Sequence, residues 1–507
     1  MKQIKLINKI KLINIKSLLL IFLIIQPIFD LKIFYNSIST LIRVIFISLF
    51  FLYYFIKNKN RKKYYILIYC LLILIYLILH HINALHFNSL IPGNFNYSFF
   101  NEFLYFVKML CPFMLIFTIY NANFSKKDFL FIIKSFVLFF SMIIIFSNLF
   151  LFSYGSYSDQ IIKANFFEWF NFNTTYTYQD LASKGLFEFA NQISALLLMF
   201  LPFTIYFNLE NNTKFNFIIL CFNVFALVLL STKVAVFGIG LVFAFTFLIY
   251  LLVKHSTKNM LKITVIFLIY ILLLPFNPTL SRMFERKQIV ETASSIISDV
   301  SIDEANQLIE NYSSSTAIQV EAADNLEFLE NLNYKINYIE NNYQNQKINE
   351  DFILNRYPYK YDPDFWYEIL TNDNENKSDY RYLEQSMTQR VVQINNNKYD
   401  KFFGITYTRV QNIFNIEKDF IMQYYSIGII GIIIFIGPYF VFLIYSFKNI
   451  ILNKIQIKNI YLLLSIITIF MLFSISYYSG NLLNSLSFTI YFTIPFSIIF
   501  KIKEMEI

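Results

Sequence analysis

Residues 215–253 read FNFIILCFNVFALVLLSTKVAVFGIGLVFAFTFLIYLLV and contain a single charged side chain, Lys233. The apolar run on each side of Lys233 is about as long as a helix that crosses the hydrocarbon core of a bilayer, which takes roughly 17–25 residues. The segment therefore predicts two membrane-spanning helices, 215–231 and 234–253, joined by a tight turn at Lys233.

Similar apolar runs recur along the whole chain. Of 507 residues, 57% are hydrophobic and 15% are charged, whereas a soluble protein has about 25% charged residues. So many large apolar side chains cannot be hidden from water in one compact core. The sequence predicts an all-α, polytopic transmembrane helix bundle. Twelve spans are predicted, at 17–35, 38–56, 64–80, 102–120, 129–152, 186–208, 215–231, 234–253, 260–276, 420–446, 459–478 and 483–500.

The distribution of Lys and Arg predicts the orientation of these spans. Basic residues collect in the N-terminal segment and in the even-numbered connections, whereas connections 81–101 and 479–482 contain none. Cytoplasmic loops are enriched in Lys and Arg. Both termini are therefore predicted to be cytoplasmic.

One connection differs from the others in length and charge. Residues 277–419 are polar and carry a net charge of −9, although the whole chain carries +9. The chain is predicted to comprise spans 1–9 (1–276), an external loop domain (277–419) and spans 10–12 (420–507). Helical apolar spacing over 318–341 predicts a mainly helical domain. A disordered tether is the alternative.

Four basic residues are not explained by the cytoplasmic bias. Arg43, Lys108, Lys184 and Lys233 are all predicted to lie near the outer leaflet, with Glu188 one helical turn inside Lys184. One such residue alone would be a snorkelling or ion-paired side chain. Four at one depth favour an anion site for a phosphate or pyrophosphate, which basic side chains bind through charge-assisted hydrogen bonds. Five arginines of the external segment are candidates to complete it: Arg282, Arg286, Arg381, Arg390 and Arg409.

Motifs for other chemistry are missing from the sequence. There is no P-loop, no GxGxxG before a helix and no nucleic-acid-binding motif. His80, His81 and His86 lie close together in the chain, but no cysteine or clear carboxylate cluster joins them as metal ligands would. The sequence predicts no metal, no cofactor and no nucleic-acid partner.

Three segments carry a resemblance to a known family. They are KGLFEFAN at 184–191, LLSTK at 229–233, and the stretch 402–431 with its Gly404, Glu417–Asp419 and Gly428. In this order, around one large loop, the chain resembles the O-antigen ligase and polymerase superfamily of bacterial envelope glycan enzymes. Three positions depart from the family pattern. Lys233 stands for the usual Arg, Thr406 for a second Gly, and Glu417–Asp419 for the His-Asn pair of many ligases. The last change favours a polymerase-like member, or one that acts on capsule or another surface glycan.

The resemblance implies a metal-independent glycosyl transfer at the outer face of the bacterial cytoplasmic membrane. The donor would be an oligosaccharide on undecaprenyl pyrophosphate, and the acceptor a glycan or lipid hydroxyl. Lys233, Arg282 and Arg390 would hold the pyrophosphate and stabilise charge on the leaving group.

The remaining candidates have supporting roles in this scheme. Arg43, Lys108 and Lys184 would assist in binding the pyrophosphate. Glu417 or Asp419 would activate the acceptor hydroxyl. Alternatively, these two carboxylates merely favour the start of a helix.

Two other classes of function remain open. A flippase for lipid-linked oligosaccharides, or another transporter, also commonly has twelve or more spans, but we find no internal repeat of the kind such folds carry. A membrane scaffold or sensor would need no basic cluster at the outer leaflet.

Overall fold

A computed structural model describes residues 14–34, 36–58, 63–91, 95–171, 176–211, 213–253, 260–284, 326–372, 377, 379–413, 416–452 and 459–505. The first helices are α1 (Ile15–Ile25), α2 (Asn36–Lys57), α3 (Lys63–Leu85), α4 (Phe99–Asn121), α5 (Lys126–Leu149), α6 (Tyr178–Leu181), α7 (Ala190–Glu210), α8 (Lys214–Leu230), α9 (Lys233–Val253) and α10 (Met260–Leu273). The later helices are α11 (Leu326–Asn342), α12 (Pro363–Thr371), α13 (Tyr380–Asn395), α14 (Asp400–Phe403), α15 (Tyr407–Ile413), α16 (Asp419–Phe435), α17 (Gly437–Leu452), α18 (Ile460–Tyr478) and α19 (Leu486–Met505).

The described residues confirm the all-α, polytopic fold. They contain eight helices that are long and apolar enough to cross a membrane, or nine if the bent pair Met260–Phe276 and Pro278–Phe284 is one span. Lys214–Leu230 and Leu486–Lys501 are shorter apolar helices. Within the predicted span 17–35, α1 gives way to a 3-10 turn at Gln26–Asp30, where Pro27 has no N–H to continue an α-helix. The total of twelve spans and the cytoplasmic termini remain predictions.

The chain divides into two compact units. The first contains Met1–Leu71, Leu104–Arg282 and Phe435–Ile507, and the second contains Leu72–Phe103 and Met283–Ile434. The predicted division at 276/277 and 419/420 remains a sequence-based prediction.

In the first unit, α7 is the central helix. Within its most apolar window 94% of the residues are buried, and it contacts α5, α8, α9 and α18. Outside the helices, Tyr154–Gly155 (β1) and Ser183–Gly185 (β2) form a two-stranded antiparallel sheet. Leu31 forms an isolated antiparallel bridge with Phe187, so the N-terminal segment pairs with the chain just after β2.

The second unit has a hydrophobic core of its own. Trp366, Phe352, Leu383, Met387 and Val410 are buried together, and they come from α12, α13, α15 and the helical turn Asp351–Arg356. Of the helix predicted over 318–341, the structure contains Leu326–Asn342, while residues 318–325 lie outside the described residues. The described part of the polar loop is therefore packed helical structure.

Candidate functional site

Lys184 lies in strand β2 and does not open a helix. α7 begins at Ala190, so the expectation that Glu188 lies one helical turn inside Lys184 is wrong. The physical reason is the pairing of β2 with β1 and of Leu31 with Phe187. These extended segments satisfy their backbone groups against each other instead of in a helix.

Lys184 and Lys32 share one carboxylate. Lys184 is 5% exposed, and its Nζ lies 3.2 Å from Oδ1 of Asp159. Lys32 Nζ lies 2.9 Å from the same oxygen. The backbone N–H of Lys32 donates to the Leu186 carbonyl at 2.8 Å. Strand pairing therefore places two ammonium groups, from distant parts of the sequence, around one anion position.

The loop that carries Asp159 also contacts Arg282 and the turn before Lys233. The Arg282 guanidinium carbon lies 3.9 Å from the centroid of the Tyr157 ring, a cation–π contact. The Tyr157 hydroxyl donates to the Ser231 carbonyl. Ser231 ends α8 with a left-handed φ of +48°, and Lys233 begins α9 with an exposed side chain. Lys184, Arg282 and the turn of Lys233 thus adjoin one loop, residues 153–164.

Arg43 is enclosed by the fold. It is 0% exposed, and its Nη2 lies 2.6 Å from Asp30 Oδ1. Its Nε donates to the Gln26 side-chain carbonyl at 2.9 Å. A buried charge must be paired and hydrogen-bonded, and Arg43 meets that requirement internally. Lys108 lies half-buried in the middle of α4.

Arg390 belongs to the second unit and is paired with Asp362. Its Nε donates to Asp362 Oδ2 at 2.7 Å and its Nη2 to Oδ1 at 3.0 Å. This bidentate pair raises the pKa of Arg390. The Tyr357 hydroxyl donates to the same carboxylate at 2.6 Å. Asp362 also caps α12 by accepting from the Phe365 N–H, so Arg390 ties α13 to the start of α12.

Glu417 is partly exposed and ion-paired, whereas Asp419 is buried. Arg381 Nε donates to Glu417 Oε2 at 2.6 Å, and the Glu417 side chain is 39% exposed. Asp419 is 0% exposed in the first turn of α16. Beside Glu417, the Glu384 carboxylate accepts the Glu417 backbone N–H at 3.3 Å. The pKa of Glu384 is raised to about 8, mainly by its burial and secondly by the negative charge of Glu417.

Two glycines allow the backbone to cross itself, Gly404 directly after α14 and Gly428 within α16. Gly404 has φ +76° and Gly428 has φ +65°, and a Cβ on Gly428 would lie 2.4 Å from the Phe402 carbonyl carbon and oxygen. Gly428 breaks α16, and the freed carbonyls of Tyr425 and Ser426 accept the N–H groups of residues 405 and 406. These glycines belong to the family-like motif at 402–431, so the motif has a steric cause.

Sequence reasoning missed the role of His80 and Glu102. His80 Nδ1 donates to the Phe403 carbonyl at 2.7 Å, and its Nε2 lies 3.0 Å from Glu102 Oε1. Glu102 also accepts the N–H groups of Tyr407 at 3.0 Å and Thr408 at 3.2 Å, which caps α15. A carboxylate inside a predicted span is itself a pointer to function, and it would have directed attention to Glu102. In the described part of the chain, no three His, Cys, Asp or Glu side chains cluster as a metal site would require.

The sequence matches the model of one known protein family. The model of a family described as O-antigen ligase like membrane protein matches residues 14–505. No curated protein and no solved structure matches the chain. The family match covers both compact units and the loop between the ninth and tenth predicted spans.

Proposed function

Because the chain belongs to the O-antigen ligase-like membrane protein family, we propose that it transfers a glycan from undecaprenyl pyrophosphate to a hydroxyl group of an acceptor glycan or lipid. The transfer would take place at the outer face of the cytoplasmic membrane of a bacterium and would build a surface polysaccharide. We favour a polymerase over a ligase, because Glu417–Asp419 stands where many ligases have a His-Asn pair.

The observation that carries the proposal is the single loop that adjoins three basic residues. Residues 153–164 contact Lys184 through Asp159, Arg282 through Tyr157, and the turn of Lys233 through the Ser231 carbonyl. The leaving group of the proposed reaction is a pyrophosphate. Preorganised cations at that position would stabilise the negative charge as it develops.

The proposed step is a displacement at the anomeric carbon of the donor. The acceptor oxygen forms a bond to that carbon while the bond from the carbon to the phosphate oxygen breaks, and the electron pair leaves with the pyrophosphate. The acceptor proton passes to a carboxylate. Glu417 is the better candidate for this role, because its side chain is 39% exposed whereas Asp419 is buried. The scheme uses no metal and no cofactor.

Arg390 and Arg43 enter the proposal as positioning residues. Both guanidinium groups are held by carboxylates of the chain itself, Arg390 by Asp362 and Arg43 by Asp30. Removing either arginine would leave a buried carboxylate without its partner, which is costly by itself. Loss of function in Arg390→Ala therefore tests folding as much as chemistry, and Arg390→Lys with a stability measurement separates the two.

The test is deletion of the gene in its host, followed by complementation. Surface glycans would be extracted and separated on a gel for strains that carry the wild type, Lys184→Gln, Lys233→Gln or Arg282→Gln. Lys163→Gln is the matched control, because Lys163 is a 63% exposed lysine of the same loop, paired with Asp180. Membrane levels of each variant would be measured by immunoblot.

Each outcome has a defined meaning. Collapse of the glycan ladder to a single repeat in the deletion strain identifies a polymerase. A full ladder that stays on the lipid carrier identifies a ligase. Glycans unchanged by the deletion would overturn the proposed function. If the deletion has an effect but the three basic-residue variants all behave like Lys163→Gln, the assignment of the residues is wrong.

A further inference from the structure

The carboxylate between Lys32 and Lys184 differs from its partners in exposure. Asp159 has a side chain that is 74% exposed, whereas the Lys184 side chain is 6% exposed and that of Lys32 is 26% exposed. The cations are thus set into the protein, and the anion that neutralises them faces the solvent. An anion from outside can reach this position without moving either lysine.

The backbones of both lysines and the ammonium of Lys32 are held by contacts that do not involve Asp159. The backbone of Lys32 is bonded to the Leu186 carbonyl, and its ammonium lies 4.6 Å from the centroid of the Tyr154 ring. Lys184 lies within strand β2, where β1 pairs with it. The Lys32 ammonium and the backbones of both lysines would therefore keep their positions if Asp159 turned away.

A buried ammonium needs an anionic partner. Charged groups are almost never fully buried unless they are paired, and Lys184 is 5% exposed. If Asp159 left, another anion would have to replace it. Hydrogen bonds lower the pKa of Asp159 below its usual value, the bond from Lys32 having the larger effect and the bond from Lys184 the next. Asp159 therefore stays charged at neutral pH and competes with other anions for the two lysines.

We propose that Lys32 is a further contact of the donor's pyrophosphate, and that Asp159 is an internal anion which this pyrophosphate displaces from Lys32 and Lys184. The inference rests on the proposed function, because it takes the donor to be a lipid-linked pyrophosphate. It adds one cation to Lys184, Lys233 and Arg282. It also gives the loop a second role, since Asp159 would keep weaker anions away from the two lysines.

Binding of pyrophosphate to the full chain tests the inference. The Kd for inorganic pyrophosphate would be measured on the protein purified in detergent. The Kd for undecaprenyl pyrophosphate would be measured on the protein reconstituted in nanodiscs that contain this lipid. The variants are Asp159→Asn, Lys32→Gln and the double variant. Asp364→Asn is the matched control, because Asp364 is a 64% exposed carboxylate paired with a lysine, Lys335, that is 26% exposed like Lys32.

Removing the competing anion should tighten binding. Since an exposed ion pair is a weak interaction and Asp159 makes two, Asp159→Asn should lower the Kd for both probes by about two- to thirtyfold. Lys32→Gln should raise the Kd for both probes, also in the Asp159→Asn background. Asp364→Asn should leave the Kd unchanged.

Three results would overturn the inference. The first is an unchanged or higher Kd in Asp159→Asn, and the second is an unchanged Kd in Lys32→Gln. The third is a change in Kd for inorganic pyrophosphate but not for undecaprenyl pyrophosphate, which would make the site one for a soluble anion. The proposed function fails separately. Glycans unchanged by deletion of the gene, together with the expected changes in Kd, would leave the pyrophosphate site standing and reject the transfer reaction.

Discussion

Replacing Gly428 by alanine should destabilise the second unit more than any other single-methyl change in α16. Gly428 has φ +65° and ψ −177°, a backbone conformation that is essentially restricted to glycine and costs other residues about 1–3 kcal/mol. The new Cβ would also lie 2.4 Å from the carbonyl carbon and oxygen of Phe402. Backbone atoms cannot rotate away as a flexible side chain can, so the two segments must separate.

Separation would break hydrogen bonds whose lengths are known. The Ile405 N–H donates to the Tyr425 carbonyl at 2.8 Å, and the Thr406 N–H donates to the Ser426 carbonyl at 3.2 Å. Each such bond contributes about 1 kcal/mol. Together with the backbone strain, the expected loss is about 3–5 kcal/mol.

The assay is thermal unfolding of the purified full-length protein in detergent. At about 2–4 °C per kcal/mol, Gly428→Ala should lower the Tm by at least about 6 °C. Gly240→Ala is the matched control, because a Cβ on Gly240, within α9, meets no neighbouring atom within 4 Å. Its Tm should stay equal or rise slightly, since alanine favours a helix over glycine. A Gly428→Ala variant that unfolds like Gly240→Ala would refute the reasoning.

Three further predictions concern groups described above. Glu384 has a pKa of about 8 in the folded protein, whereas its usual pKa is 4.5. Between these two pH values the folded state therefore binds more protons than the unfolded state. The free energy of unfolding should fall by about 1.4 kcal/mol per pH unit as the pH rises through this window. Thermal unfolding against pH should show a smaller slope in Glu384→Gln, and an equal slope would contradict the assignment. Glu102→Gln should lower the free energy of unfolding by about 1.5–3 kcal/mol. A glutamine amide cannot replace the carboxylate in its contacts with both N–H groups at the start of α15 and with His80. A Tm equal to that of the wild type would count against this cap. Tyr157→Phe should lower the free energy of unfolding by about 1 kcal/mol, because the hydroxyl group is lost. Tyr157→Leu should lower it by about 0.5–2 kcal/mol more, because the contact of the ring with Arg282 is also lost. Equal Tm values for the two variants would show that the ring contact contributes nothing.

The basic residues illustrate how far sequence reasoning reaches at the site. The positive charge of Lys233 in an apolar stretch was enough to predict a turn between two helices, and in the structure α8 ends at Leu230 and α9 begins at Lys233. The sequence did not reveal that Lys184 lies in a strand, because its neighbours are as apolar as those of a span. Lys32 was not recognised either, since nothing in its local sequence distinguishes it from other lysines near an apolar run.

Pairings between charges required the folded chain. The family resemblance implied that Arg390 holds the pyrophosphate, and its bidentate contact with Asp362 is visible only in three dimensions. Likewise, His80 and Glu102 are 22 residues apart, and a helix brings together only residues three or four positions apart. The contact between His80 on α3 and Glu102 on α4 is therefore a tertiary one.

The sequence by itself determined that this protein is a polytopic helical membrane protein with a large polar loop, because hydrophobicity and charge act locally and can be summed along the chain. The tertiary structure decided which charges meet. It put Lys32 and Lys184 around Asp159, joined Arg282 to Tyr157, and crossed the backbone at Gly404 and Gly428. Such contacts join segments that are distant in sequence, and they depend on strand pairing and helix packing that no local pattern specifies.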